Sequence, residues 1–424
     1  MREQTKQTWD RSIVALLVST FCSTAGALVC TTALGKQVYD ITHEPLQLGL
    51  LGLAEFAPSA LLVLVSGTIA DRYSRTRVSS SAAALEVVAG AGLALYAATH
   101  PRHVLPIYGM VLVFGVGRAF YAPANRALPA DIVPLERLPW LTARRGATWQ
   151  SAIIVGPVIG GFLYAANIVL PYIAMAVFLA IASISMFFVR VAHQKPAPVA
   201  EDPVEPAVDP GAGHAAPTPR AGLRDALEGL RFIRRTPILL GAISLDLFAV
   251  LFGGAVALLP AIAEDRLGVG AVGLGWLRAA GGIGAAAVTL VITRRPVTHR
   301  VGRTLLIAVS IFGAFTILLG STRIYAVAFV AMMVLSGADA ISVFIRSTLV
   351  PLVTPFDKRG RVLAVESVFI GASNELGAFE SGVTGQLLGS AGAIILGGAA
   401  TLAVAGTYLI AFPALRKIDR FPQH

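Results

Sequence analysis

Long apolar runs recur along this chain almost from end to end, and no other feature constrains its fold as strongly. They lie near 12–34, 46–70, 78–98, 104–124, 141–165, 168–189, 237–261, 270–293, 304–320, 324–350, 362–388 and 391–413. A bilayer has a hydrocarbon core about 30 Å thick and takes about 20 apolar residues per crossing helix, so each run has the length of a span. Soluble domains carry about a quarter charged residues; here Asp, Glu, Lys and Arg make up 14% of 424 residues and hydrophobic residues 55%. A soluble globule is thereby excluded. The expected fold class is an all-α membrane protein of twelve transmembrane helices in two six-helix halves. The expected divisions are an N-terminal half over 1–190, a cytoplasmic linker with an amphipathic helix over 191–236, and a C-terminal half over 237–424.

The net charge of +10 is distributed as membrane topology requires and not as a nucleic-acid surface. Lys and Arg crowd into alternate connections. With both termini placed in the cytoplasm, the inside segments hold 27 of the 34 basic residues. The outside holds only Lys36, Arg102, Arg266 and Arg323. That asymmetry predicts cytoplasmic termini. Because the first apolar run is too long for a signal peptide and no clear small-residue cleavage site follows it, it is expected to stay as a membrane helix. Cys22 and Cys30, eight residues apart on one helix, are separated by about 12 Å of helical rise, beyond disulfide reach. They read as small buried residues.

Residues 196–219 carry seven of the 24 prolines, with Glu201, Asp202, Glu205 and Asp209 and almost nothing bulky, a composition that cannot bury enough apolar surface to order itself. After this linker, Leu223, Ala226, Leu227, Leu230 and Ile233 repeat at helical spacing opposite Arg224, Asp225, Glu228, Arg231 and Arg234, which predicts an amphipathic helix on the membrane surface. Pro237 marks the turn into the seventh span. The Gly281, Gly282 and Gly284 run follows no strand, so it reads as small-residue helix packing and not as a phosphate loop.

Chemistry must come from polar groups placed inside spans, where an ionisable residue is costly and functional by default. The set is Glu55, Glu86, Arg118, Asp246, Arg278, Asp339, Arg346, Glu366, Glu375 and Glu380. Glu86, Arg278 and Glu375 are as consistent with pairing or snorkelling near span ends as with function. The remaining seven, Glu55, Arg118, Asp246, Asp339, Arg346, Glu366 and Glu380, are the candidates for proton coupling or for lining a cavity. Asp339 and Arg346 share a helix face about 10 Å apart. Glu366, Ser373 and Glu380 share another. A buried acid without a partner is what a proton carrier needs, and Asp246, Asp339 and Glu366 are the foremost. The competing reading for each is a hydrogen bond locking two helices.

The seven histidines fall in connections or at the terminus with no pair at metal-ligand spacing, and neither a nucleophile elbow nor a zinc-protease motif occurs. No metal, cofactor or enzymatic site is expected.

Between the second and third runs stands Gly67-Thr-Ile-Ala-Asp71-Arg72-Tyr-Ser-Arg75-Thr-Arg77, which resembles the signature loop of the major facilitator superfamily, with Ser74 where glycine is usual. Positive-inside bias explains the basic residues but not Asp71 at a helix end. The resemblance implies a conformational latch of Gly67, Asp71, Arg72 and Arg75, with Asp71 meeting the start of the eleventh helix beyond Arg359, Gly360 and Arg361. Gly156-Pro157-Val-Ile-Gly160-Gly161 resembles the fifth-helix motif of antiporter-type members and implies both a kink and antiport. The fourth run ends in Arg118-Ala-Phe-Tyr-Ala-Pro-Ala-Asn-Arg126 through Leu128-Pro129, and the tenth echoes it through Arg346 and Leu349-Val-Pro351. With Val38-Tyr39-Asp40-Ile41-Thr42 and 359–382, these segments are similar to the enterobactin-exporter-like branch. Lys36, Glu366 and Ala378 depart from that branch, where an aromatic, an asparagine and an acid are usual.

The resemblance implies proton-coupled efflux of a small amphipathic molecule, siderophore-like or drug-like, by a monomer in the bacterial inner membrane, with substrate, protons and the bilayer as its partners. Lipid or lysolipid translocation and a non-transporting membrane receptor are the alternatives.

Overall fold

The computed structural model describes residues 2–190 and 223–422; the expected linker over 196–219 lies outside them. Fourteen α-helices appear in the described residues: α1 (Arg2–Thr42), α2 (Pro45–Arg72), α3 (Arg75–Ala97), α4 (Leu105–Ile132), α5 (Leu138–Ala166), α6 (Leu170–Phe187), α7 (Leu223–Arg235), α8 (Pro237–Phe252), α9 (Leu259–Ala261), α10 (Gly270–Arg294), α11 (Val301–Ser321), α12 (Tyr325–Val353), α13 (Phe356–Ala411) and α14 (Pro413–Arg416). No strand occurs among the described residues. Eleven of the helical stretches are long and apolar enough to cross a membrane.

The count of eleven follows from one continuous helix, α13, that holds two of the expected spans. Gly389, with φ 75° and ψ 155°, breaks it. That backbone region is open essentially to glycine alone, and it falls between the sequence runs 362–388 and 391–413. The two parts of α13 are the eleventh and twelfth crossings.

Helix starts follow proline. Pro45, Pro106, Pro139, Pro171 and Pro237 stand in the first turns of α2, α4, α5, α6 and α8, where the missing N–H is unpaired in any case and φ is already helical. α1 runs on to Thr42, eight residues past the expected end of the first run. Outward faces are apolar, with Leu61 81% and Ile410 82% exposed. In lipid, such faces need no cover, while every backbone group must be satisfied inside its own helix.

In the first half, α3 packs on α4 and α6, and α1 on α5 and α6. In the second, α10 packs on α12, α11 on α12 and α13, and α8 on α13. Two seams join the halves, α5 to α10 and α2 to α13.

The amphipathic helix forms as α7 and packs against the bundle. Ile233 is buried in a cluster with Leu239, Ile243, Val350, Val362 and Val365. A side chain at Gly229 would meet the Arg361 carbonyl at 2.9 Å, and Glu228 pairs with Arg361 at 3.1 Å. Ile233 faces α8 and the start of α13, while Leu227 of the same apolar face stays exposed, as do Arg231 and Arg234.

Candidate functional site: a cavity between the halves

Small residues set the seams. A Cβ added at Gly161 would lie 2.4 Å from the Ala271 carbonyl, and one at Gly275 2.5 Å from the Pro157 carbonyl. Gly156 and Gly160 instead face Ala25 and Val29 of α1. The fifth-helix motif therefore carries two interfaces, one within its own half and one across to α10. On the other seam, Gly49 meets Ala378, Phe379 and Gly382, and Gly385 meets Pro45.

The end of the bundle that carries the α1–α2 connection is sealed by a polar knot across the halves. Lys36 Nζ sits 2.9 Å from Glu264 Oε2 and also pairs with Asp40. Tyr39 donates to Asp265, and Tyr164 donates to Asp40 Oδ2 at 2.8 Å. Arg266 caps the carbonyls of Thr322 at 2.9 Å and Ser321 at 2.6 Å, tying this segment to α11. Beneath the knot Leu34, Val38, Leu259, Ile262 and Leu274 form one apolar cluster drawn from both halves.

Below this seal lies a cavity of about 340 Å³, lined from both halves, within the range of small-molecule sites. Its charged lining is Glu55 of α2, Arg278 of α10, Asp339 of α12 and Glu375 of α13. Two glycines bring these charges against the first half: side chains at Gly35 and Gly52 would lie 3.3 Å from Arg278 Nη2 and from Glu375 Oε2. Thr31, Ser336 and Asn374 add neutral polar groups, and Leu34, Leu51, Phe312 and Leu335 an apolar wall. A second, water-sized hollow of about 10 Å³ is lined by Asp246, Asp339, Ser342 and Phe312. Asp339 therefore borders both spaces.

Asp246 and Glu366 are not the partnerless acids that the sequence suggested. Arg346 Nη2 lies 2.8 Å from Asp246 Oδ1 and its Nη1 3.8 Å from Glu366 Oε1, all three buried. Arg346 thus reaches across to α8 and α13 and does not reach back along its own helix to Asp339. Such a group resists separation, since removing one partner leaves an uncompensated buried charge. Glu380, expected on the same face as Glu366, is half-buried and accepts from Thr384 at 2.7 Å outside the cavity lining. Ser373 donates to the Ile370 carbonyl at 3.0 Å.

In the first half Arg118 donates to Ser23 Oγ at 3.2 Å and faces the Tyr121 ring, 5.9 Å from its centroid. Tyr121 in turn shares a hydrogen bond with Ser19 at 3.1 Å. Glu86 of α3 is fully buried, and neither carboxylate oxygen has a hydrogen-bond partner. Arg278 and Glu375, which the sequence left balanced between structure and function, line the cavity, whereas Arg118, Asp246, Arg346, Glu366 and Glu380 do not. A single sequence could not separate these cases, because helical periodicity orders residues around one helix and says nothing about which helix lies opposite.

Of the expected latch, Gly67 and Arg72 lie on the last turns of α2, with Arg72 exposed. Arg75 makes a two-pronged bond to Asp131 at 2.9 and 2.8 Å, holding α3 to the end of α4 within one half. The side chain of Asp71 lies outside the described residues.

A family model described as Major Facilitator Superfamily matches residues 16–378. An enterobactin exporter, EntS, of Escherichia coli O1:K1 is 25% identical over 410 residues, covering 96% of this chain and 93% of that protein. Among solved structures, a POT family transporter in complex with 5-aminolevulinic acid superposes with a TM-score of 0.73 at 11% identity, covering 96% of this chain and 97% of the other. A bacterial homologue of the human lysosomal transporter Spinster gives 0.67 at 14% identity, covering 96% of each chain. The chain is similar to transporters throughout its length, and no relative named here is an enzyme.

Proposed function

Because the chain belongs to the Major Facilitator Superfamily, we propose that it exports a small amphipathic molecule from the cytoplasm in exchange for protons, by alternating access through the cavity between its halves. One observation carries this reading above the others: charged groups from both halves converge on a single cavity directly beneath a seal that joins those halves. A site shared by two bodies that meet at one end can be exposed to either side by rocking one body against the other, without moving the site itself. The relatives named as enterobactin exporters support the outward direction. The basic residues of alternate connections support cytoplasmic termini, which make the knot around Lys36 an outer gate.

Protons are carried by Asp339, which borders the cavity and the water-sized hollow leading to Asp246. Protonation there is relayed to the Arg346 cluster, whose pairing with Asp246 and Glu366 it loosens. Exchange follows if substrate and proton cannot occupy the route together.

The test is transport in proteoliposomes containing the purified protein, with a pH gradient imposed across the membrane. Supernatant extracts of the parent strain, compared with those of a deletion strain, supply the substrate pool. An extract component should accumulate only when the gradient is present, and Asp339→Asn should abolish the gradient dependence. Uptake that is indifferent to the gradient in the unaltered protein would refute coupling; no uptake of any component would refute export.

A further inference from the structure

We infer that the substrate of this cavity is an organic cation with an apolar body, such as a lipophilic amine or quaternary onium; this rests on the cavity being the transport site. The cavity sets three carboxylates, Glu55, Asp339 and Glu375, against one guanidinium, Arg278. Among the described residues none of the four makes an ion pair or a side-chain hydrogen bond, and the Nε of Arg278 is buried without a partner. That contrasts with Arg346, whose two acids compensate it within bonding or near-bonding distance. None of the three cavity acids comes within ion-pair distance of a cation among the described residues.

Carboxylates left without donors in a confined space call for a donor from the ligand, since charge-assisted bonds to a carboxylate are about twice as strong as neutral ones. An anion entering the same space would meet Arg278 once and a carboxylate three times. Apolar lining accompanies the charges, with Leu34, Leu51, Phe312 and Leu335 on the wall. A body that fills this wall and a cationic head that reaches Glu55 and Glu375 use both. Phe312 adds a π face for an alkylated cation, which has no N–H to donate. Cation bound at Glu55 and Glu375 then shares the cavity with the proton-carrying Asp339, so that each disfavours the other by charge.

The experiment is equilibrium binding to the purified full chain in nanodiscs, with tetraphenylphosphonium as the cationic probe and 2,3-dihydroxybenzoate as the anionic one. Tetraphenylphosphonium should bind saturably and 2,3-dihydroxybenzoate should not displace it. Glu55→Gln and Glu375→Gln should each weaken the cation about tenfold, while Arg278→Gln, which removes the like charge from the lining, should tighten it. Saturable 2,3-dihydroxybenzoate binding that Arg278→Gln abolishes, with no tetraphenylphosphonium binding, would overturn the inference and leave proton-driven export standing. Binding of neither probe by the unaltered protein also overturns it. Failure of gradient-driven transport with the cell extract strikes the export reading separately, because that assay assumes no charge class.

Discussion

The buried Arg346 cluster shows how one side chain can hold three helices. Its guanidinium joins α12 to Asp246 on α8 and to Glu366 on α13, and all of the charge is out of solvent. Arg346→Leu should cost about 3–5 kcal/mol, the penalty for stranding buried charge, and lower the melting temperature in detergent. The double variant Arg346→Leu/Asp246→Asn should recover part of that loss. A single variant as stable as the parent would show that the cluster contributes nothing net. Asp339 is different, because it touches the cavity and makes no bond within the described residues. Asp339→Asn should therefore change stability by no more than about 0.5 kcal/mol, read as a nearly unchanged melting temperature, while removing proton dependence, as is expected away from any bonded network.

Whole helices depend on where glycine permits what other residues cannot. Gly389 turns the chain between two crossings with a positive φ, and Gly389→Ala should cost about 1–3 kcal/mol as backbone strain. Gly406 has open space around it and lies within the same helix, so Gly406→Ala should be neutral or slightly stabilising through helix propensity. Melting temperatures of the two variants separate strain from a general effect of adding a methyl group. At the seam between α5 and α10, Gly275→Ala places a methyl 2.5 Å from the Pro157 carbonyl. Neither helix can yield cheaply, and overpacking of this kind costs about 1–3 kcal/mol. If the halves rock against each other as proposed, transport should fall further than stability, which paired flux and melting measurements would show.

For the molecule as a whole, the proposed alternation between two states would rest on the seal. Lys36→Met removes the ion pair to Glu264, and the halves should separate at that end more often. Spin labels at the exposed Glu44 and Arg323, one in each half, should then report longer distances than in the parent. An unchanged distribution would mean that the apolar cluster beneath the knot holds the gate alone. Cysteines at Ser74 and His103 should label from opposite sides of the membrane, as the distribution of basic residues requires; equal labelling from one side would sink the topology. Asp71→Asn tests the expected latch at the other mouth, where loss of the carboxylate should favour the open cytoplasmic side.

Span number, helix type and the class of molecule follow from the sequence by itself, because a bilayer demands about 20 apolar residues per crossing and the chain repeats that length. The break between the last two crossings was legible too, since Gly389 stands where two apolar runs meet. The ionisable residues within spans could likewise be named, because their cost in lipid makes each conspicuous. Their roles could not. Arg346 and Asp246 are 100 positions apart yet bonded, whereas Asp339 and Arg346, seven apart on one face, are not. Whether an acid is paired, stranded or set in a cavity depends on which helix lies opposite and how closely it approaches. That is decided by glycine contacts between distant segments such as Gly161 with Ala271 and Gly49 with Gly382, a property of the tertiary structure alone.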